Sequence, residues 1–174
     1  MRATGCIGCV CIRACKPFVA RPSHGHHCHA YKALELEFCK KYTTVLIENR
    51  FDKSRSATIQ AEVADEPDER ALGLMNRKKL AKNMGMLFVY NKPSAPQFWM
   101  KNTLISLDIV FSDYEGRIIR IFENVPRMSE KKITAGNGVS FVLEVNGGLA
   151  REFEIDSNWL LNLSDYVSSV EPYC

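Results

Sequence analysis

Residues 97–111 read QFWMKNTLISLDIVF, a run that sets a tryptophan, a lysine and an asparagine among strand-forming residues. Strand alternation puts Trp99, Lys101 and Thr103 on one face and Phe98, Met100 and Asn102 on the other. Neither face is purely apolar, and burying a lysine or an asparagine without a partner costs several kcal/mol. The stretch is therefore expected at the rim of a sheet, lining a groove. An indole plate beside ammonium and amide donors suits a small polar or anionic ligand, sugars included. The architectural alternative places Phe98, Trp99 and Met100 in the core, Asn102 in a turn, and Lys101 reaching past them to water.

A second candidate lies upstream, in ADEPDERALGLMNRKKL (64–80). Acids and a proline at its start suit the first turn of a helix, where N–H groups are unpaired and the dipole end is positive. Read as one helix, it sets Arg70 and Arg77 seven apart on nearly the same line, with Gly73 between them. An interior glycine costs about 1 kcal/mol relative to alanine. Two guanidinium forks beside the bare patch would make an anion-binding surface. The bland alternative pairs each arginine with a structural carboxylate or carbonyl. The candidate ligand-binding set is thus Arg70, Arg77, Trp99, Lys101, Asn102 and Asp108.

Two acids could do more than bind. Asp108 and Glu144 are each embedded in an apolar strand. Burial raises a carboxyl pKa, and two carboxylates about 5 to 9.5 Å apart across a cleft suit glycoside-type hydrolysis. The competing reading is an outward strand position or a carboxylate paired with arginine. From residue 42 onward there is no histidine, and Cys174 is the only cysteine. That removes Ser-His-Asp and Cys-His catalysis and His-containing metal sites from this part. No Gly-rich phosphate loop of either standard spacing occurs, and no cofactor is expected.

The N-terminal part differs in composition. Residues 1–33 hold five Lys or Arg, no acid, all four histidines and five of the seven cysteines. CIGCVCIRAC and HGHHCH offer Cys6, Cys9, His24, His26 and Cys28 as soft donors for zinc or copper, at spacings that match no closed tetrahedral site. The same composition also reads as a targeting leader, a disordered segment, or translation from an upstream start. From residue 42 onward, 16 basic and 18 acidic side chains nearly balance. The expected division is a leader over 1–41 and a domain over 42–174 with its core at 56–163. Cys39 and Cys174 would tie the domain's ends in an oxidising compartment, or remain separate thiols. A net charge of +3 gives no argument for nucleic acid, and no apolar run reaches the ~18 residues of a membrane span. Oligomeric state is not legible.

These residues need a scaffold, and the rest of the sequence supplies strands. SATIQAEVA, GMLFVY, FWMKNT, LDIVF, RIIRIF, SFVLEVN and WLLNL are short strand candidates separated by turn signals, with SDYEG suited to a hairpin. The expected fold class is mainly β: a compact β-sandwich or barrel-like single domain with one or two short helices.

ERALGLMNR (69–77), GMLFVY (85–90), FWMKNTLISLDIVF (98–111), the Gly116 hairpin, NVP (124–126) and FVLEVNGG (141–148) follow one another in that order. Together they resemble the prokaryotic family called domain of unknown function 192, over roughly residues 56–163. The resemblance implies a compact β domain and, because many members carry an export signal or lipoprotein anchor, a periplasmic or otherwise extracytoplasmic location. It implies no established activity. Asn76, Ser106, Ser157 and Asn158 depart from the family pattern, mostly at turns. Three functions follow: a non-catalytic module for a small polar or anionic ligand, a carboxylate-based hydrolase using Asp108 and Glu144, and an envelope protein-interaction factor.

Overall fold

The computed structural model describes residues 41–164 and 166. The segment expected to be a leader, with its candidate metal ligands Cys6, Cys9, His24, His26 and Cys28, and both Cys39 and Cys174, lie outside the described residues.

Among the described residues, the named elements are seven strands and two short helices: β1 (Lys41–Asn49), β2 (Ser56–Ala64), α1 (Pro67–Leu72), β3 (Met84–Ser94), β4 (Leu107–Ser112), β5 (Ile118–Val125), β6 (Val139–Asn146), α2 (Leu149–Glu152) and β7 (Trp159–Asn162). All seven strands join one sheet in the order β5-β4-β6-β3-β2-β1-β7, curled into a half-barrel. The mainly β expectation holds. The sequence reading began the sheet at Ser56, and the structure adds β1, whose Val45 and Ile47 face the core. Only β2 and β3 run parallel, so the chain between them must cross over, and α1 lies on that crossover.

The sheet is buried on both sides over its middle. Its inner face carries Ile59, Ala61, Val63, Leu87, Val110, Leu143 and Val145, closed by Trp159 and Leu161 of β7 and by Leu149 and Ala150 of α2. Its outer face carries Met86, Phe88, Leu107, Ile109, Phe111 and Val142, covered by Leu74, Phe98, Met100 and Ile133. Phe88, Phe98, Phe111 and Phe122 meet in successive edge-to-face contacts with ring centroids 4.9, 5.5 and 5.7 Å apart. That geometry places each ring's positive edge on the next ring's negative face. All six residues of β4 are buried, including the polar Asp108 and Ser112 that flank Val110 on the inner face.

The two ends of the sheet meet at one point. Arg117 bridges Leu160, and the Leu161 N–H donates to the Gly116 carbonyl at 2.8 Å. Gly116 has φ +79°, and a Cβ built there would overlap the Leu161 carbonyl oxygen. The SDYEG turn thus needs its glycine both for backbone conformation and for the approach of β7.

The helix is shorter than its pattern suggested. α1 has six residues, opened by Pro67 and by Glu69, whose carboxylate accepts from the Asp65 and Glu66 N–H groups at 3.2 Å each. It stops at Gly73 (φ +50°), where a Cβ would lie 3.3 Å from Phe88 Cζ. The glycine read as an interior helix position is therefore a terminator that brings the backbone down onto an aromatic ring.

Candidate functional site

FWMKNT is a bridge and a turn rather than a regular strand. Phe98 and Ile133 exchange backbone hydrogen bonds at 2.8 and 2.9 Å, and the Met100 N–H donates to the Ser129 carbonyl at 2.7 Å. The Thr103 N–H returns to the Met100 carbonyl at 3.0 Å and closes the turn. Alternation breaks there: Phe98, Met100 and Thr103 are buried, while Trp99, Lys101 and Asn102 are exposed. Phe98 and Met100 are core, as the architectural reading expects, whereas Trp99 is not and faces water with Lys101 and Asn102. Trp99 keeps 45% of its surface exposed, and Lys101 Nζ lies 5.3 Å from its ring centroid.

Three segments are knitted into one surface around this turn. The Asn76 N–H donates to the Asn102 carbonyl at 2.8 Å, and the Met128 N–H donates to the Thr103 carbonyl at 3.0 Å. Asn76, Asn102 and Met128 all have positive φ, at +61°, +55° and +61°. Asparagine adopts this region readily and methionine does not, and such strain concentrates at functional surfaces. The basic loop around Met128 was not among the sequence candidates; its run of cations (RMSEKK) was the available signal.

The two arginines turn away from this surface. Arg70 Nη1 donates to the carbonyls of Asp65 and, at 3.1 Å, Val89, and its guanidinium sits 5.3 Å from the Tyr90 ring centroid. Arg77 forks onto Glu62, with Nη1 to Oε1 at 2.5 Å and Nη2 to Oε2. Glu62 is buried and Arg77 is half-buried, and the fork is occupied. Because α1 ends at Leu72, Arg77 does not share a helical line with Arg70. The expected anion-binding pair of guanidinium forks is corrected to two structural arginines. Glu62, at an outward position of SATIQAEVA, is the partner the sequence reading did not name.

Asp108 and Glu144 are on opposite faces of the sheet. Asp108 registers with Val145 on the inner face, and Ile109 with Glu144 on the outer. Asp108 is wholly buried; its Oδ1 accepts from the N–H groups of Asn124 at 2.7 Å and Gly148 at 3.0 Å, and its Oδ2 from Ala150 at 2.7 Å. It fastens the NGG turn and the start of α2, and neither oxygen is directed at the Trp99 surface. This corrects its place in both the ligand-binding set and the carboxylate pair, since the sheet separates it from Glu144.

Glu144 stands in a cross-sheet row with Met86 and Glu62. Burial pushes its carboxyl up to about 8 from an ordinary 4.5. A carboxyl raised in the folded state binds a proton that the unfolded chain releases, so stability falls as pH rises from 4.5 to 8 and is level outside that window. Glu144→Gln keeps the volume and the neutral form. We expect it to stabilise the domain by up to about 3 kcal/mol at pH 7 and to change little at pH 4. Urea melts of both proteins across this range test it; parallel pH profiles would show that Glu144 is ionised in the fold.

An open cavity of about 360 Å³ lies at the other end of β6, lined by Leu80, Lys82, Asn146, Gly147, Gly148, Leu149 and Glu152. Lys82 and Glu152 are joined across it by an ion pair at 2.7 Å, so its charges are already matched.

Comparison with known proteins agrees with this architecture. A solved structure from Sinorhizobium meliloti, described as a candidate transcription regulator, is 30% identical, with a TM-score of 0.70 over 74% of this chain and 98% of its own. A protein of unknown function from Novosphingobium aromaticivorans is also 30% identical, with a TM-score of 0.67 over 80% of this chain and 99% of its own. A comparison with curated proteins returns no match. Residues 49–162 match the family model described as "Uncharacterized ACR", domain of unknown function 192, and the chain belongs to that family.

Proposed function

We propose that this domain is a non-catalytic binding module for anionic ligands, and that it binds through the exposed surface made by Trp99, Lys101 and Asn102. The observation that carries the reading is Lys101. Its ammonium lies over an exposed indole, and none of the ion pairs among the described residues includes it. An ammonium held by a ring face keeps its donors available to an incoming anion. Arg70 and Arg77 hold the segment that abuts the turn and do not read the ligand. The separation of Asp108 from Glu144 by the sheet favours binding over hydrolysis. A location outside the cytoplasm belongs to the same proposal, and cell fractionation of the full chain tests it.

Thermal-shift titration with inorganic phosphate, citrate and a sugar acid tests the binding reading. A ligand at 100 times its Kd stabilises the native state by about 2.7 kcal/mol. We expect that shift to vanish in Lys101→Ala and to shrink in Trp99→Ala, with both variants folded. Equal shifts in all three proteins would place the anion elsewhere and sink the reading.

A further inference from the structure

The same surface is larger and more one-sided than a small ligand needs. Lys78, Lys79, Lys101, Arg127, Lys131 and Lys132 lie on the three knitted segments, and all six are exposed. None has a carboxylate partner among the described residues, whereas Lys41, Lys53, Arg55, Arg77, Lys82 and Arg117 all do. Glu130 is the one acid exposed on these segments. Arg50, Lys92, Arg120 and Arg151 are exposed and without a carboxylate partner among the described residues as well, but they lie on four separate segments. Here six cations accompany one acid, a concentrated positive face on a domain whose charges nearly balance as a whole.

That face also exposes apolar side chains. Met128 is 53% exposed and Leu104 37%, beside Trp99 at 45%. Their positions are fixed by the backbone: Met128 bonds to Thr103, and Thr103 adjoins Leu104. An indole, a thioether and an isobutyl group projecting amid unpaired cations match the chemistry of an anionic bilayer surface. Tryptophan partitions into the headgroup region, aliphatic tips enter the acyl boundary, and each cation near the surface gains from anionic lipid. A nucleic-acid duplex fits less well. The described helices have six and four residues, and nothing on this face resembles a groove-reading element.

We propose that the Trp99–Met128 face docks the domain peripherally on an anionic lipid surface, the lipid headgroups serving as the anions it binds. The proposal rests on the binding reading above and names its ligand class. No described helix is long and apolar enough to cross a membrane, so this is contact from one side.

The two tryptophans supply the assay, because Trp99 is exposed and Trp159 is 1% exposed. Residues 1–33 also carry five basic residues, so binding of the full chain does not by itself locate the contact. Trp99 emission does. Full-length protein mixed with phosphatidylglycerol vesicles at low salt should show a blue shift and loss of iodide quenching. Both effects should persist in Trp159→Phe, be absent with phosphatidylcholine vesicles, and reverse in high salt. The triple variant Lys101→Ala/Arg127→Ala/Lys132→Ala, N-terminal segment unchanged, should bind at least tenfold more weakly on this readout.

Vesicle binding with Trp99 still fully quenched would overturn the proposal. So would Trp99 protection by duplex DNA or heparin without protection by vesicles. If phosphate still stabilises the domain while vesicles leave Trp99 unshifted, the docking inference fails and the anion-binding reading stands. If neither occurs, both fail.

Discussion

Asp108→Asn will lower the stability of the domain by about 4 kcal/mol, although the change alters only one atom. Two oxygens of Asp108 accept three backbone N–H groups, from Asn124, Gly148 and Ala150. An asparagine can offer its oxygen to Asn124 and Gly148, but its NH₂ then faces the Ala150 N–H, donor against donor. The alternative rotamer strands two amides instead of one. Each hydrogen bond to a charged acceptor is worth about 1.5 to 3 kcal/mol, and a stranded buried donor costs about 1 to 3 more. Guanidinium melts measure the loss, and amide exchange locates it: Ala150 and Gly148 should lose protection first. A variant within about 1 kcal/mol of the parent would mean that the cluster is dispensable.

Gly116→Ala is expected to cost about 4 kcal/mol, combining backbone strain with displacement of a neighbouring strand. The added methyl would overlap the Leu161 carbonyl oxygen and stand 3.1 Å from its carbon. Those atoms are backbone and cannot swing aside as a flexible side chain would. Gly136→Ala is the matched control, because Gly136 has a similar φ of +84° but nothing within 4 Å of its added Cβ. The control should cost about 1 kcal/mol, the conformational penalty alone. The difference between the two measures the closure of β5 on β7. Equal losses would show that the contact at Leu161 yields freely.

The strands were legible because alternation reports a face directly. SATIQAEVA put Ile59, Ala61 and Val63 inward, and SFVLEVN did the same for Phe141, Leu143 and Val145. What alternation cannot report is which residue lies opposite. The expectation that Asp108 and Glu144 converge required their faces, and those depend on β4–β6 register: Asp108 against Val145, Ile109 against Glu144. A long-range pairing of this kind leaves no local trace in the sequence. The helix was overextended because leucines at helical spacing continue past Gly73. The helix ends there because Gly73 takes a positive φ, which its lack of a side chain permits. FWMKNT was ambiguous for a related reason: a chain that turns at residues 101–103 has no single period to read. Glu62 was overlooked because an outward glutamate looks solvated until an arginine is known to lie over it.

The strand order also constrains how the molecule is made. β1, emerging first, pairs on one side with β2 and on the other with β7, which emerges last. A nascent chain therefore carries β1 as an open edge until residues 159–162 have left the ribosome, and Trp159 and Leu161 cannot seal the inner core before then. The contact between Gly116 and Leu161 likewise waits for β7 to emerge. For this sheet, β7 must be made before folding can be completed.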